Sequence, residues 1–158
     1  MQSHLTPTLI RGAHARPLPN ELEPGFGAPD LHLGQSQGQV IDLWNEPDRK
    51  EQLEVSQYFI YDRLKLEVEF QKGRVERLFF FKPAGSKGSI EIRRKQVSYG
   101  MSRTQLVRKF GKPAEQGKGR TILDKYVRSW ISYPTGVQFE FGKNGKLELI
   151  TIFWPEKT

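Results

Sequence analysis

The chain has 158 residues, no cysteine, three histidines and a formal net charge of +7 at pH 7. That length suits one domain or two small ones, and the missing cysteine excludes disulfides, zinc–thiolate centres and thiol catalysis together. His4, His14 and His32 all precede residue 33, which removes a Ser-His-Asp triad and a histidine metal site from everything after it.

Residues 1–30 read as a flexible tail. "ARPLPNELEPGFGAPD" is rich in proline and glycine and has little periodicity, a composition that favours extended, unpaired backbone. Its start lacks a basic residue cluster followed by an apolar stretch, so no secretory leader is expected and the cytosol is the expected address. No run approaches the roughly 18 apolar residues of a membrane span.

A first structural unit is expected over residues 31–82. Ser36 is placed to cap a short helix whose apolar stripe is Val40, Leu43 and Trp44. Pro47 disfavours a helical Glu46 and stops it. "SQYFIYD", "LKLEVEF" and "RVERLFFF" then read as three strands, the second alternating Leu64, Leu66, Val68 and Phe70 with charged residues. Residues 83–89 form a glycine-containing linker, and "IEIRRKQV" reads as one short strand. A second unit is expected over residues 90–158. Ser102 caps, Leu106, Val107 and Phe110 make the stripe, and Gly111 and Pro113 end the helix. "VRSWISYP", "GVQFEF" and "KLELITIFW" follow as strands, the last two joined at Asn144-Gly145, a strong hairpin turn.

The two units say nearly the same thing. "LGQSQGQVIDLWNEP" and "YGMSRTQLVRKFGKP" align without a gap, pairing Gly34 with Gly100, Ser36 with Ser102, Gln39 with Gln105, Trp44 with Phe110 and Pro47 with Pro113. Further on, Tyr58 pairs with Trp130, Tyr61 with Tyr133, Gly73 with Gly145 and Val75 with Leu147. Units of this size bury little alone, so two side by side are expected to share a sheet or a core. Strand parity slips by one residue within each copy, so the pattern does not say which sheet face is exposed.

The motif formed by Gly100, Ser102, Gln105, Leu106, Phe110, Gly111 and Pro113, with Trp130, Tyr133, Phe139, Phe141, Gly145 and Ile150 behind it, resembles the unit of the SmpA/OmlA (BamE) outer-membrane assembly lipoproteins. It is also similar to the β-lactamase inhibitory proteins, which carry two such units in tandem. The likeness covers residues 33–154 as two copies, the first departing at Asn45 where glycine is usual. It implies an α+β fold of two tandem helix-plus-three-stranded antiparallel meander repeats packed as one unit. It further implies a bacterial origin and a concave sheet that grips another protein.

Function is read from charge and aromatics. Between Lys72 and Arg128 stand sixteen Lys/Arg against four acids, Glu76, Glu91, Glu115 and Asp124, a positive field that asks for an anionic partner. The expectation is a non-catalytic protein-binding module, an inhibitor or immunity protein, whose target is a toxin or enzyme with an acidic surface. Arg93, Arg94, Arg103, Arg108 and Lys109 would meet that surface. Tyr58, Tyr61, Trp130 and Tyr133 would supply rigid anchors from the strands. The alternative is a nucleic-acid-binding protein using the basic residues 72–128. Glu67, Glu69, Glu140 and Asp124 read as polar strand faces rather than catalytic acids. No catalytic residue, cofactor or metal is expected.

Overall fold

The computed structural model describes residues 16–83, 88–119 and 127–156. In chain order these form β1 (Glu21–Leu22), β2 (Gly27–Ala28), β3 (Leu31–His32), α1 (Gln37–Trp44), β4 (Arg49–Leu53), β5 (Ser56–Tyr61), β6 (Leu66–Gln71) and β7 (Arg74–Phe81). Then come β8 (Ser89–Ile92), β9 (Lys95–Ser98), α2 (Arg103–Phe110), β10 (Glu115–Gly119), β11 (Arg128–Tyr133), β12 (Val137–Phe141) and β13 (Leu147–Phe153). Eight strands make one antiparallel sheet in the order β10-β11-β12-β13-β7-β6-β5-β4.

The fold is mostly β, which corrects the expected α+β arrangement of helix-plus-three-stranded repeats. Each half contributes four strands to the large sheet, not three, and only one eight-residue helix. The strands missed in the sequence are the two edges. β4 is "RKEQL", exposed throughout, and β10 is "EQGKG". Neither alternates apolar with polar residues, because an edge strand needs no buried face and is protected by charge. The halves also fuse in mid-sheet, where β13 pairs with β7 through Leu149↔Phe81 to Phe153↔Arg77. Leu78, Phe80, Ile150 and Ile152 are fully buried along that seam.

Two further expectations are corrected. "IEIRRKQV" is a hairpin, β8 paired with β9, turning through Arg93 and Arg94 at φ 52° and 65°. Two arginines are an unusual sequence for positive φ, so the turn was silent. Residues 16–30 are not a loose tail. Glu21–Leu22 pair in parallel with Glu91–Ile92, and Leu22 and Ala28 are buried in the main core. Residues 1–15, most of the 83–89 linker and the 120–126 stretch lie outside the described residues.

Both helices begin with the same reciprocal cap. Ser36 Oγ accepts from Gln39 N at 3.1 Å while Gln39 Oε1 accepts from Ser36 N at 2.8 Å. Ser102 and Gln105 repeat the arrangement at 3.2 and 2.9 Å. At two turns each, these helices are marginal alone and depend on packing. Val40, Trp44 and Leu106 bury against one face of the sheet, with Leu66, Val68, Phe70, Ile131 and Phe139 on the other side of the contact. Ile90, Ile92 and Val97 from the small sheet join the same core. This face is therefore covered.

The parity slip has a structural cause. β6–β7 changes register at Glu69/Phe70, and β12–β13 changes register at Glu140/Phe141. A bulge inserts one residue and shifts the alternation that follows it. Val75, Leu78 and Phe80 thus all face the core despite their uneven spacing.

Candidate functional site

Among the described residues, the opposite face of the sheet is covered by neither helix. It carries a small apolar cluster of Tyr58, Ile60, Phe79 and Leu149, with Phe81 packed alongside. Strand pairing lays two equivalent rows across it. One runs Tyr58–Glu69–Arg77–Phe153, and the other runs Trp130–Glu140–Leu149–Phe81. Each row reads aromatic, glutamate, a variable residue, phenylalanine, and the two cross the central seam in opposite directions.

A hollow of about 410 Å³ opens among these rows, between Tyr58 and Trp130 and bounded by Phe153 and Trp154. Glu69 is almost wholly buried in its floor, with only 1% exposed. Arg77 Nε stands 2.8 Å from its Oε1, while Ser56 Oγ and Gln71 Nε2 donate to Oε2 at 2.7 and 3.1 Å. Oε1 accepts no aligned hydrogen bond, so the Arg77 contact is an ion pair across a short gap rather than a directed bond. Glu140, also buried, accepts from Gln138 Nε2 at 3.1 Å. A carboxylate is held in such a place only when counter-charge and donors offset its desolvation. Burial pushes the Tyr58 hydroxyl above its ordinary pKa, and the Glu69 charge adds to that shift.

Trp130 owes its position to glycine. Its partner across β10–β11 is Gly117, and a Cβ there would lie 2.8 Å from the indole. The ring covers the edge strand in the space that a side chain would fill. Trp154 is 47% exposed, an unusual display of a large aromatic surface.

The residues expected to bind a partner are split among three places. Tyr58 and Trp130 line the hollow. Tyr61 and Tyr133 are buried on the covered face, where their hydroxyls donate to the carbonyls of Asn45 and Gly111 at 2.8 and 2.7 Å. They tie each helix end to the sheet. The basic residues lie with the helix layer and the small sheet. Arg103 sits 5.4 Å over the Phe141 ring and donates to Gln116 Oε1 at 3.0 Å. Lys109 offers its carbonyl to Lys95 Nζ. Arg93 lies 3.8 Å from Glu23. Arg94 and Arg108 are exposed. The expected basic patch and the expected aromatic anchors therefore do not form one surface.

The carboxylates of the hollow, Glu69, Glu76 and Glu140, were not expected as site residues. The signal for Glu69 and Glu140 was the repeated glutamate-then-phenylalanine at the end of "LEVEF" and "VQFEF", which alternation alone assigns to a solvated face. Among the described residues no group of three or more His, Cys, Asp or Glu is arranged to hold a metal ion. No described helix is long and apolar enough to cross a membrane. Asp124 lies outside the described residues.

No family model matches the chain, and no curated protein matches it. Among solved structures, the chain is similar to a DUF4309 family protein (YjgB) from Bacillus subtilis subsp. subtilis str. 168. The TM-score is 0.54 at 13% identity, over 82% of this chain and 88% of that one. It is also similar to an extracellular protein containing a SCP domain from Bacillus anthracis str. Ames, with a TM-score of 0.49 at 9% identity, over 77% of this chain and 44% of that one. A cysteine-rich secretory protein (SAV1118) from Staphylococcus aureus subsp. aureus Mu50 matches with a TM-score of 0.48 at 9% identity, over 88% of this chain and 50% of that one. The chain spans about half the length of these last two proteins. The likeness to the DUF4309 protein concerns the fold alone.

The eight-stranded, mostly β fold and its likeness to the DUF4309 protein correct the resemblance to the SmpA/OmlA (BamE) and β-lactamase inhibitory protein families. The residues that carried it do general work in the structure. Ser102 and Gln105 form a capping box, Gly111 closes a helix at φ 87°, and Gly145 turns a hairpin. Caps and turns recur in unrelated folds and do not identify a family.

Proposed function

We propose that the chain is a non-catalytic protein-binding module that receives its partner on the uncovered sheet face, in the hollow between Tyr58 and Trp130. The observation that carries this reading is the hollow itself. Aromatic side chains from four strands and the adjoining Trp154 converge on one concavity with buried carboxylates in its floor. Concave, aromatic-rich surfaces with few fixed polar groups suit recognition, and rigid aromatics make economical anchors. The reading assigns binding and no chemistry. The basic residues of the helix layer act at longer range, steering an acidic partner during approach.

The test is recovery of a partner from native lysate with three tagged forms: wild type, Trp154→Ser with Trp130→Leu, and Arg94→Glu with Arg108→Glu. The sheet-face pair should lose a protein that wild type retains at moderate salt after nuclease treatment. The helix-layer pair should retain it. Loss with the arginine pair alone, or recovery of nucleic acid alone, would contradict the proposal.

A further inference from the structure

We infer that the hollow on the uncovered face takes a proline-rich segment of its partner in the extended polyproline II conformation. This rests on the reading of that face as the binding surface and adds the chemistry of what it takes.

The hollow offers a ligand donors more than acceptors. The two carboxylates in its floor are already engaged. Glu69 stands 2.8 Å from Arg77 Nε and accepts from Ser56 Oγ and Gln71 Nε2. Glu140 accepts from Gln138 Nε2 at 3.1 Å and lies 3.5 Å from Thr151 Oγ1. Glu76, the third carboxylate of the lining, is only part-buried, so water satisfies it. The donors of Trp130 and Ser132 are in a different position. The Trp130 indole has its N–H edge near Gly119, where a Cβ would lie 3.7 Å from Nε1, and both residues line the hollow. Among the described residues nothing accepts from Trp130 Nε1, and nothing bonds the Ser132 hydroxyl.

A ligand matched to such a surface brings carbonyls and apolar faces but few donors. An ordinary peptide carries one N–H per residue, and each N–H buried here without an acceptor would weaken binding. Proline keeps the carbonyl and lacks the N–H. Its ring also packs on aromatic side chains, and Tyr58, Phe79, Trp130, Phe153 and Trp154 supply them. A sugar fits less well, because every hydroxyl adds a donor to a floor whose acceptors are taken. The span agrees with an extended segment. Tyr58 on β5 and Trp130 on β11 are separated by five strand intervals, at about 4.8 Å each, or about 24 Å. A polyproline II chain advances about 3.1 Å per residue, so about eight residues cover that distance. The conformation is preformed, which limits the ordering cost of docking.

The experiment is an NMR titration of the full chain with octaproline, a glycine–serine octapeptide and chitohexaose. Octaproline should shift the Trp130 and Trp154 indole N–H signals, with Trp130 moving downfield as its N–H gains an acceptor. The glycine–serine peptide and chitohexaose should leave both signals unmoved. Trp130→Phe keeps an aromatic ring and removes the donor, and Ser132→Ala removes the hydroxyl. Each should bind octaproline about fivefold more weakly than wild type, with folding of each variant checked by its backbone amide spectrum. Tyr61→Phe, altered on the covered face, should bind as wild type does. Indoles unmoved by octaproline, affinity unchanged in both Trp130→Phe and Ser132→Ala, or indole shifts caused by chitohexaose would each overturn the inference. If octaproline fails while a protein partner still depends on Trp130 and Trp154, the binding face stands and the ligand class falls.

Discussion

Tyr61 and Tyr133 occupy equivalent positions and do equivalent work, each donating its hydroxyl to the carbonyl that closes a helix. Replacing either with phenylalanine leaves the packing and removes the bond, a loss of about 1 kcal/mol readable by urea denaturation. Burial, joined at Tyr61 by the Glu46 and Asp48 charges, raises the pKa of both hydroxyls, and burial alone raises that of Tyr99. The unfolded chain therefore releases these protons near the ordinary tyrosine value of about 10, while the folded chain retains them. Above that pH the unfolded state binds fewer protons, so stability should be full at neutral pH and fall as pH rises beyond about 10. The Tyr61→Phe and Tyr133→Phe variants should show a shallower fall. An unchanged alkaline limb would mean that these hydroxyls titrate alike in both states. Arg77 is the other telling residue. Its loss to alanine strands a buried Glu69, but Arg77 is itself 46% exposed, so solvent screening holds the expected cost to about 2 kcal/mol.

Capping boxes and glycine contacts decide the elements. Ser102→Ala removes a side-chain acceptor from the first turn of α2 and should lower stability by about 1 kcal/mol, with Ser36→Ala doing the same for α1. Gly136 sits at φ +105°, and a Cβ there would lie 2.3 Å from the Phe153 carbonyl oxygen and 2.6 Å from the Gly25 backbone. Gly136→Ala should therefore cost well over 1 kcal/mol and loosen the N-terminal segment that packs there. Gly117→Ala tests the site rather than the fold. It should displace the Trp130 indole, shift tryptophan fluorescence and weaken partner binding, while the melting temperature changes little because β10 is an edge. The elements most visible in the sequence were those with a local rule. Ser36 and Ser102 announced helix starts, and Val68 among glutamates announced a strand. β4 and β10 obeyed no such rule, since exposed edge residues are free of the core's pattern. The Arg93–Arg94 turn was silent because its positive φ is imposed by the pairing of β8 with β9 and not by residue type.

At the scale of the molecule, the two copies visible in the sequence join in one continuous sheet, one of the two arrangements expected of them. That outcome depends on β7 meeting β13, a contact between residues far apart in the chain that periodicity does not encode. The same long-range pairing hides the candidate site from the sequence. Tyr58 and Glu69 lie on different strands, as do Trp130 and Glu140, and only register brings each pair together. The Tyr58 and Trp130 anchors were legible as matched aromatics, yet their matched partners Tyr61 and Tyr133 point the other way, since successive strand positions alternate between faces. The sixteen basic residues of the central region suggested one basic surface, and of these the exposed Arg94 and Arg108 lie with the helix layer and the small sheet.

The central claim is that the uncovered face, and not the helix layer, meets the partner. The most direct measurement is photocrosslinking in native lysate with a benzophenone amino acid placed at Trp154 in one form and at Arg108 in another. The account predicts a discrete protein adduct from position 154, abolished by adding Trp130→Leu, and none of that size from position 108. An adduct from position 108 alone would contradict it and transfer the binding surface to the basic helix layer.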